Sequence, residues 1–263
     1  MSFKHRARKR FGQNFLVDSN IIDRMARAIA PQPNDRLIEI GPGLGALTRP
    51  LLQAAGRLEA VELDRDLLQE LDERCHGVGQ LIVHQGDALR FDFAALRQDE
   101  RLLRIVGNLP YNISTPLIFH LLESAAVIAD MHFTLQKEVV DRLAAAPASE
   151  AYGRLSVMVQ YHCRVDRLFD IAPGAFRPIP RVDSGFVRLV PHREKPIEVP
   201  DVALLSRLVA QAFSQRRKTL RNSLKGLLNE EQIRAAGIEP ALRPEQLDLA
   251  GFAALTHQLP QPA

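Results

Sequence analysis

Asn108-Leu109-Pro110-Tyr111 directly follows the apolar run Leu102-Leu103-Arg104-Ile105-Val106-Gly107. The exocyclic amine of an adenine is a poor nucleophile, because its lone pair is delocalised into the ring. To be alkylated, that lone pair must be held in line with an electrophile. An Asn side-chain oxygen and a backbone carbonyl can accept the two N–H bonds of such an amine, while an aromatic ring stacks on the base. Asn-x-Pro-aromatic at a strand end supplies all three, and Pro110 stiffens the turn. The same four residues also suit an ordinary turn that closes a strand, so they acquire meaning only beside the rest of the chain.

A second constellation precedes them. Glu39-Ile40-Gly41-Pro42-Gly43-Leu44-Gly45-Ala46 follows the run Arg36–Ile40 and opens a helical pattern. Glycines there permit a tight turn and let a ligand lie against the backbone. Glu62 ends the next apolar run, 21 residues past Gly41, where a carboxylate can accept both hydroxyls of a ribose. Because Gly41, Gly43 and Ala46 also satisfy G-x-G-x-x-A, the loop fits NAD as well as S-adenosylmethionine, and a purely structural turn as well. Two later features favour the sulfonium cofactor. Gly86-Asp87-Ala88 follows the third run and places a carboxylate where an adenine amine is held. The Asn108 tetrapeptide then ends the fourth run, and nothing in the chain resembles a hydride-transfer acid–base pair.

The elements that must position these residues alternate between apolar runs and helical periodicity, which predicts a parallel sheet flanked by helices. Strands are expected at Arg36–Ile40, Leu58–Leu63, Leu81–His84, Leu102–Gly107 and His132–Gln136, with a late strand at Ser184–Val190. Asp18 or Ser19 can cap a helix whose apolar face is Ile21, Ile22, Met25, Ala26 and Ile29. A second helical stripe carries Leu67, Leu68, Leu71 and Cys75, and Pro116 suits the first turn of a helix running to about Ala126. Leu155–Arg164 fits helix or strand. Pro173 to Arg181 is too rich in proline for a central strand and reads as a rigid loop. Beyond the linker from Lys195 to Pro200 only helical periodicity remains. The expected organisation is an α/β domain over residues 1–192 and a small all-helical domain over 193–263.

Composition bounds the partners. The 263 residues are 46% hydrophobic and 25% charged, as in an ordinary soluble domain, and no apolar stretch approaches the ~20 residues of a membrane span. The basic N-terminus lacks the apolar segment of a signal peptide. Cys75 and Cys163 have no metal-ligand spacing, which predicts reduced thiols in a cytosolic protein without a metal site. The net charge of +3 is unevenly spread. Residues 1–17 carry Lys4, Arg6, Arg8, Lys9 and Arg10 with no acid, and residues 213–225 carry Arg216, Arg217, Lys218, Arg221 and Lys225 with no acid. Without those ten, 24 basic face 31 acidic residues. An acidic body with two basic patches suggests a polyanion met at defined surfaces. Leu205, Leu208, Val209, Ala212, Phe213, Leu220, Leu224 and Leu227 fall at helical spacing, which predicts one packed face. Arg217, Arg221 and Lys225, spaced i, i+4, i+8 with Lys218 beside them, are expected to form a basic stripe on another face.

In these blocks the chain resembles the small-subunit ribosomal RNA adenine N6,N6-dimethyltransferases, which are class I S-adenosylmethionine-dependent enzymes. Arg8-Lys9-Arg10-Phe11-Gly12-Gln13-Asn14-Phe15-Leu16, Glu39 to Gly45, Asn108 to Thr115, Leu135-Gln136-Lys137-Glu138 and Gln215 to Asn222 carry the resemblance, in order, over residues 8 to 222. It implies a Rossmann-like α/β domain with a mostly parallel seven-stranded sheet, and a C-terminal helical RNA-binding domain. It further implies that Asn14 and Leu16 close over the cofactor, Gly41 lies against its methionine part, Glu62 binds the ribose and Asp87 the adenine amine. Asn108 would face the target amine with the Leu109 carbonyl, Tyr111 would stack on the base, and Phe176 would close its other face. The implied reaction is methyl transfer to N6 of two adjacent adenines in a 16S rRNA loop, twice per base, within an immature small subunit and by a cytoplasmic monomer. A large-subunit rRNA methyltransferase and an assembly factor with secondary methylation stay open as alternatives at this point.

Overall fold

The computed structural model of the chain describes residues 13–215 and 217–260. Its first compact unit comprises the chain up to Val140 together with Asp166–Pro191, and the second comprises Asp141–Val165 together with His192–Ala263. The linear boundary expected at 192/193 therefore does not capture the grouping. Residues 141–165, which hold the end of one helix, all of a second and the start of a strand, group with the C-terminal segment before the chain returns to the first unit.

In chain order the elements are β1 (Phe15–Leu16), α1 (Ser19–Ile29), β2 (Arg36–Ile40), α2 (Thr48–Ala55), β3 (Arg57–Glu62), α3 (Leu68–Cys75), β4 (Gln80–Gln85), β5 (Leu103–Asn108), α4 (Ser114–Glu123) and β6 (Ile128–Gln136). After α5 (Lys137–Leu143) and α6 (Arg154–His162) come β7 (Cys163–Ile171), β8 (Phe176–Arg177) and β9 (Ser184–Pro191). The Leu155–Arg164 segment, open between helix and strand, is divided between α6 and the start of β7. The rigid loop from Pro173 holds one short strand, β8, paired antiparallel with β1 so that Phe15 faces Arg177 and Leu16 faces Phe176.

Seven strands form one sheet in the order β4-β3-β2-β5-β6-β9-β7. The pairs β2–β3, β3–β4, β2–β5 and β5–β6 are parallel, and β6–β9 is antiparallel. Moving outward from the centre, the chain order runs one way through β3 and β4 and the other way through β5 and β6. The gap between the carboxyl ends of β2 and β5 is thus the topological switch point at which open α/β sheets bind ligands. Burial on both faces explains the continuous apolar runs: every residue of β2 is buried, as are five of the six in β3.

At the opposite ends of these strands a buried ion cluster joins several elements. Asp130 on β6 accepts from Arg104 on β5 at 2.9 Å and from Arg188 on β9 at 2.8 Å. Arg104 also pairs with Asp35 and donates to the Ile29 carbonyl at 2.7 Å, which ties it to the C-terminal end of α1. Burial by itself pushes the Asp130 carboxyl up, but the Arg104 bonds, followed by the surrounding charges and Arg188, outweigh it and leave it below the usual range.

The second unit continues with α7 (Val202–Ala212), α8 (Leu220–Ser223), α9 (Glu230–Ala235) and α10 (Leu249–Thr256). Leu205, Leu208 and Val209 of α7 and Phe252 and Leu255 of α10 are fully buried, and the Phe213 and Phe252 rings lie 5.7 Å apart. The expected single stripe of Arg217, Arg221 and Lys225 is corrected here. The helix stops at Ala212, and further along the backbone N–H groups of Leu220 and Arg221 take the carbonyls of Leu242 and Pro240 instead of helical partners. Arg217 lies in a turn, Arg221 on α8 and Lys225 beyond it, all exposed. Cys75 and Cys163 are buried free thiols.

Replacing Asp130 by Ala leaves Arg104 and Arg188 without their shared carboxylate, a loss expected to cost about 3–5 kcal/mol. Since the folded Asp130 titrates below its unfolded value, the contribution is present above the unfolded pKa and lost as pH falls through the folded one. Thermal unfolding scans should show a large drop in the variant at pH 7 that narrows towards pH 3. Equal melting temperatures at pH 7 would exclude the cluster as a stabilising element.

Candidate active site

A cleft of about 690 Å³ opens at the switch point. It is lined by Asn14, Leu16, Gly41, Glu62, Asp87, Asn108, Leu109, Pro110 and Tyr111, residues drawn from the N-terminal segment and from the loops after four strands. Gly41 donates to the Val61 carbonyl at 2.9 Å with φ +65°, and nothing occupies the space where a Cβ would stand. A side chain there would be strained and would fill the cleft. Gly43 has φ +56°, and a Cβ on it would meet the Phe15 ring at 3.2 Å.

The carboxylates of the cleft differ in what holds them. Glu62 accepts the Gly43 N–H at 3.2 Å on one oxygen and the Asp64 N–H at 2.8 Å on the other. Burial pushes its pKa up against those two bonds. A carboxylate offers about four acceptor positions, so these backbone bonds do not exhaust it. One oxygen of Asp87 accepts the Leu89 N–H at 3.0 Å. Glu39, at the penultimate position of β2, is 2% exposed, and its Oε2 has no hydrogen-bond partner. Burial, reinforced by the Glu62 charge, pushes its pKa up to about 7.

The end of β5 is fixed by contacts that span the chain. A Cβ on Gly107 would come within 2.8 Å of the Ile40 carbonyl, so only glycine allows β2 and β5 to end this close together. Asn108 Nδ2 donates to the Asn14 carbonyl at 2.8 Å, which leaves Oδ1 as the acceptor end of the amide. The Tyr111 hydroxyl lies 2.7 Å from Ser184 Oγ, a fully buried side chain at the start of β9, and burial pushes the phenol pKa up. Ser114 Oγ donates to the Tyr111 carbonyl at 3.0 Å. The N-terminal segment lies over this end of the sheet: Gln13 Nε2 donates to Asp64 at 3.2 Å, and Val17 donates to the Ala175 carbonyl at 2.9 Å.

Of the expected catalytic and cofactor-binding residues, Phe176 alone does not line the cleft. It is 1% exposed and packs in the core with Leu16, Ile171 and Phe186, so in this structure its ring has no open face for a base. Pairing with Leu16, it holds the N-terminal segment instead. Arg8, Lys9, Arg10 and Arg216 lie outside the described residues. Arg217, Lys218, Arg221 and Lys225 belong to the second unit, where Arg221, Asn222 and Lys225 border an open groove, and Arg221 pairs with Glu230 at 3.8 Å. Ser184, Gly107 and Phe15 were not among the expected residues. Gly107 had a readable signal, a glycine inside a strand, whereas Ser184 is 73 residues from Tyr111 with no local mark.

The sheet order and the cleft at its switch point define an α/β methyltransferase architecture. A crystal structure of a dimethyladenosine transferase from Plasmodium falciparum superposes with a TM-score of 0.77 at 26% identity, covering 92% of this chain and 95% of that one. A 23S rRNA methyltransferase structure shares the fold, with a TM-score of 0.73 at 24% identity over 94% of this chain and all of that one. The family model for ribosomal RNA adenine dimethylase matches residues 4–257, and the chain belongs to that family. Among its relatives are proteins named ribosomal RNA small subunit methyltransferase A. The one from Pseudomonas aeruginosa is 60% identical over 98% of this chain and 96% of its own, and that from Pseudomonas fluorescens is 59% identical over 99% and 98%.

The donor set fits the methyl donor of this class, S-adenosylmethionine. A molecule carrying a sulfonium, an ammonium and a carboxylate suits a cleft lined by three carboxylates and by Arg49 and Arg74, where one carboxylate, Glu39, has an unpartnered buried oxygen. Glu62 and Asp87 are the other two carboxylates of that cleft. Among the described residues no three His, Cys, Asp or Glu side chains group as metal ligands, and no helix is long and apolar enough to cross a membrane.

Glu39 makes ligand-free stability depend on pH. Its folded pKa lies above the unfolded value, so stability is full below about pH 4.5 and declines as pH rises to about 7. Glu39→Gln removes that ionisation and should gain up to roughly 3 kcal/mol over wild type above pH 7, with little difference at pH 4.5. The same variant should bind S-adenosylmethionine more weakly by calorimetry. Parallel melting curves across pH 4.5–8 would show that Glu39 ionises freely.

Proposed function

We propose that this protein transfers methyl groups from S-adenosylmethionine to the N6 amines of two adjacent adenines in a small-subunit (16S) rRNA loop within an immature small subunit, giving N6,N6-dimethyladenosine. The observation that carries the reading is that Asn108-Leu109-Pro110-Tyr111 lines the same cleft as Gly41, Glu62 and Asp87. One cleft thus offers a cofactor cradle and an acceptor set for an aromatic amine. The names of the nearly full-length relatives, all small-subunit methyltransferases, support the substrate over the large-subunit alternative.

Bound in the cleft, the cofactor supplies a methyl group already activated on sulfur, so the protein's work is positioning and polarisation. Glu62 holds the ribose and Asp87 the cofactor adenine. Asn108 Oδ1 accepts one N6 N–H of the target adenine, and the Leu109 carbonyl accepts the other. With both N–H bonds fixed, the nitrogen lone pair is turned out of conjugation and towards the methyl carbon. Tyr111 stacks on the target base, held by Ser184 at its hydroxyl and by Ser114 at its carbonyl. The Asn14 carbonyl fixes which end of the Asn108 amide accepts. The base must be unpaired or flipped, which a single-stranded loop permits at low cost.

Radiolabelled methyl transfer to undermethylated small subunits, followed by mapping of the modified bases, tests this directly. Label confined to N6 of adenines in small-subunit RNA is expected, and label on large-subunit RNA alone would overturn the substrate. In the same assay Asn108→Ala should lose about 10²–10³ in turnover while remaining folded. Turnover near wild type would remove Asn108 as the acceptor.

The RNA-binding role of the exposed cations in the second unit belongs to the same proposal. Arg217, Arg221 and Lys225 do not share one helix, yet all three are exposed, and two border the open groove. Replacing them by Gln should flatten the salt dependence of small-subunit binding by roughly one unit of slope for each phosphate that is no longer neutralised. Calorimetric cofactor affinity should be unchanged. An unaltered salt slope would make these residues a solvated surface only.

A further inference from the structure

Among the described residues the exposed large hydrophobic side chains are Leu63, Ile179 and Val182. Single exposed aliphatics are ordinary. Two of these three, however, lie within four residues of one loop, Ile179 at 60% and Val182 at 45% exposure. Pro178 and Pro180 flank Ile179 and restrict its backbone, so its exposure is built into the loop rather than the result of fraying. The loop is anchored at both ends beside the cleft. On one side Phe176 and Arg177 pair with Leu16 and Phe15. On the other, the Asp183 carbonyl accepts the Lys137 N–H at 2.9 Å, and Ser184 holds the Tyr111 hydroxyl.

Reach then limits where the aliphatics can be. Val182 is two residues from Ser184, so their Cα atoms are within about 7 Å, and Ile179 is within about 18 Å at full extension. The charges around them are mostly positive. Arg177 and Arg181 are exposed, and the only acid in the loop is Asp183 at its anchored end. Arg177 Nη1 donates to the Gly174 and Phe176 carbonyls at 3.0 and 2.8 Å, which holds that guanidinium against the loop backbone.

A flipped base leaves its former stacking neighbours exposed, and nucleic-acid-binding proteins fill such steps with apolar side chains carried between cations. We propose that the loop from Pro178 to Asp183 is a wedge for single-stranded RNA: Ile179 and Val182 pack on the bases adjoining the target adenine, while Arg177 and Arg181 meet the flanking phosphates. The inference rests on the RNA substrate reading above and adds to it the surface that receives the neighbours of the methylated base. The occupant is single-stranded RNA continuous with the target, since the loop shares its anchor with the residue that stacks on that target.

Steady-state methylation of undermethylated small subunits by Ile179→Asn/Val182→Asn tests the wedge. Both positions are exposed, so the fold should tolerate the change. The expected result is a KM for the particles raised tenfold or more, with cofactor affinity, melting temperature and the salt slope of binding unchanged. Ile179→Leu/Val182→Ile should restore the wild-type KM. Arg177→Gln/Arg181→Gln should instead flatten the salt slope, by roughly one unit for each phosphate left without its cation. Wild-type KM and turnover in the Asn pair would overturn the wedge, and so would a fall in its melting temperature or cofactor affinity that accounts for the loss. If the wild-type enzyme itself transfers no methyl to these particles, the substrate reading fails with it. Normal wild-type transfer and an indifferent Asn pair remove the wedge alone.

Discussion

The position of the site depends on one close backbone approach, that of Gly107 to the Ile40 carbonyl. Ile40 is the last residue of β2 and is followed by the glycine loop. Gly107 is the penultimate residue of β5 and is followed by Asn108. Because no side chain separates them, the cradle for the cofactor and the acceptors for the amine begin from neighbouring backbones at the switch point. A Cβ at 2.8 Å from that carbonyl would force the strands apart at the one place where their separation sets the geometry of the reaction. Methyl transfer gains chiefly from orientation, so displacement of one loop relative to the other would be felt in rate before it was felt in stability.

The N-terminal segment depends on that geometry and also completes it. The Asn14 carbonyl receives the Asn108 amide, the Phe15 ring lies where a Gly43 side chain would be, and Leu16 pairs with Phe176. The segment then enters α1, whose N-terminus is capped by the Asp18 carboxylate and whose last residue, Ile29, gives its carbonyl to Arg104. Arg104 lies on β5, the strand that ends at Asn108. One strand is therefore tied to the N-terminal segment at both ends, through Asn108 at the cleft and through Arg104 at the ion cluster.

Much of this was legible in the sequence because it is local. The five central strands are short apolar runs bounded by glycine or polar residues, and Gly41, Glu62, Asp87 and Asn108 each end or follow one of them. What was not legible depends on contacts between distant residues. Ser184 acquires its role only when β9 lies beside β6, and Asn14 only when the N-terminal segment folds over β5. Phe176 enters the expected site only through the family resemblance, and its own burial has no local mark. Pairing of β8 with β1 buries it. A stripe of Arg217, Arg221 and Lys225 requires that local periodicity prevail, whereas the carbonyls of Pro240 and Leu242 capture the donors that would have continued the helix. The grouping of residues 141–165 with the C-terminal segment has no local mark, since helices packed on a sheet and helices packed on helices have the same apolar period.

Charge separates the two substrates of the proposed reaction. The cleft carries Glu39, Glu62 and Asp87 alongside Arg49 and Arg74, and the field at its three carboxylates favours a cationic cofactor over a polyanion. An RNA strand cannot bring its phosphates into that field without loss, but a purine ring carries no charge. The target adenine is therefore the part of the polymer that can enter, and the phosphates on either side must remain where cations are available, outside the cleft. Exposed Arg177 at the end of β8 and Arg181 on the loop that follows supply such cations, on a segment whose far end, Ser184, holds the Tyr111 hydroxyl. Preference for a splayed-out base over a paired one then follows from this placement of charge and from the stacking platform together.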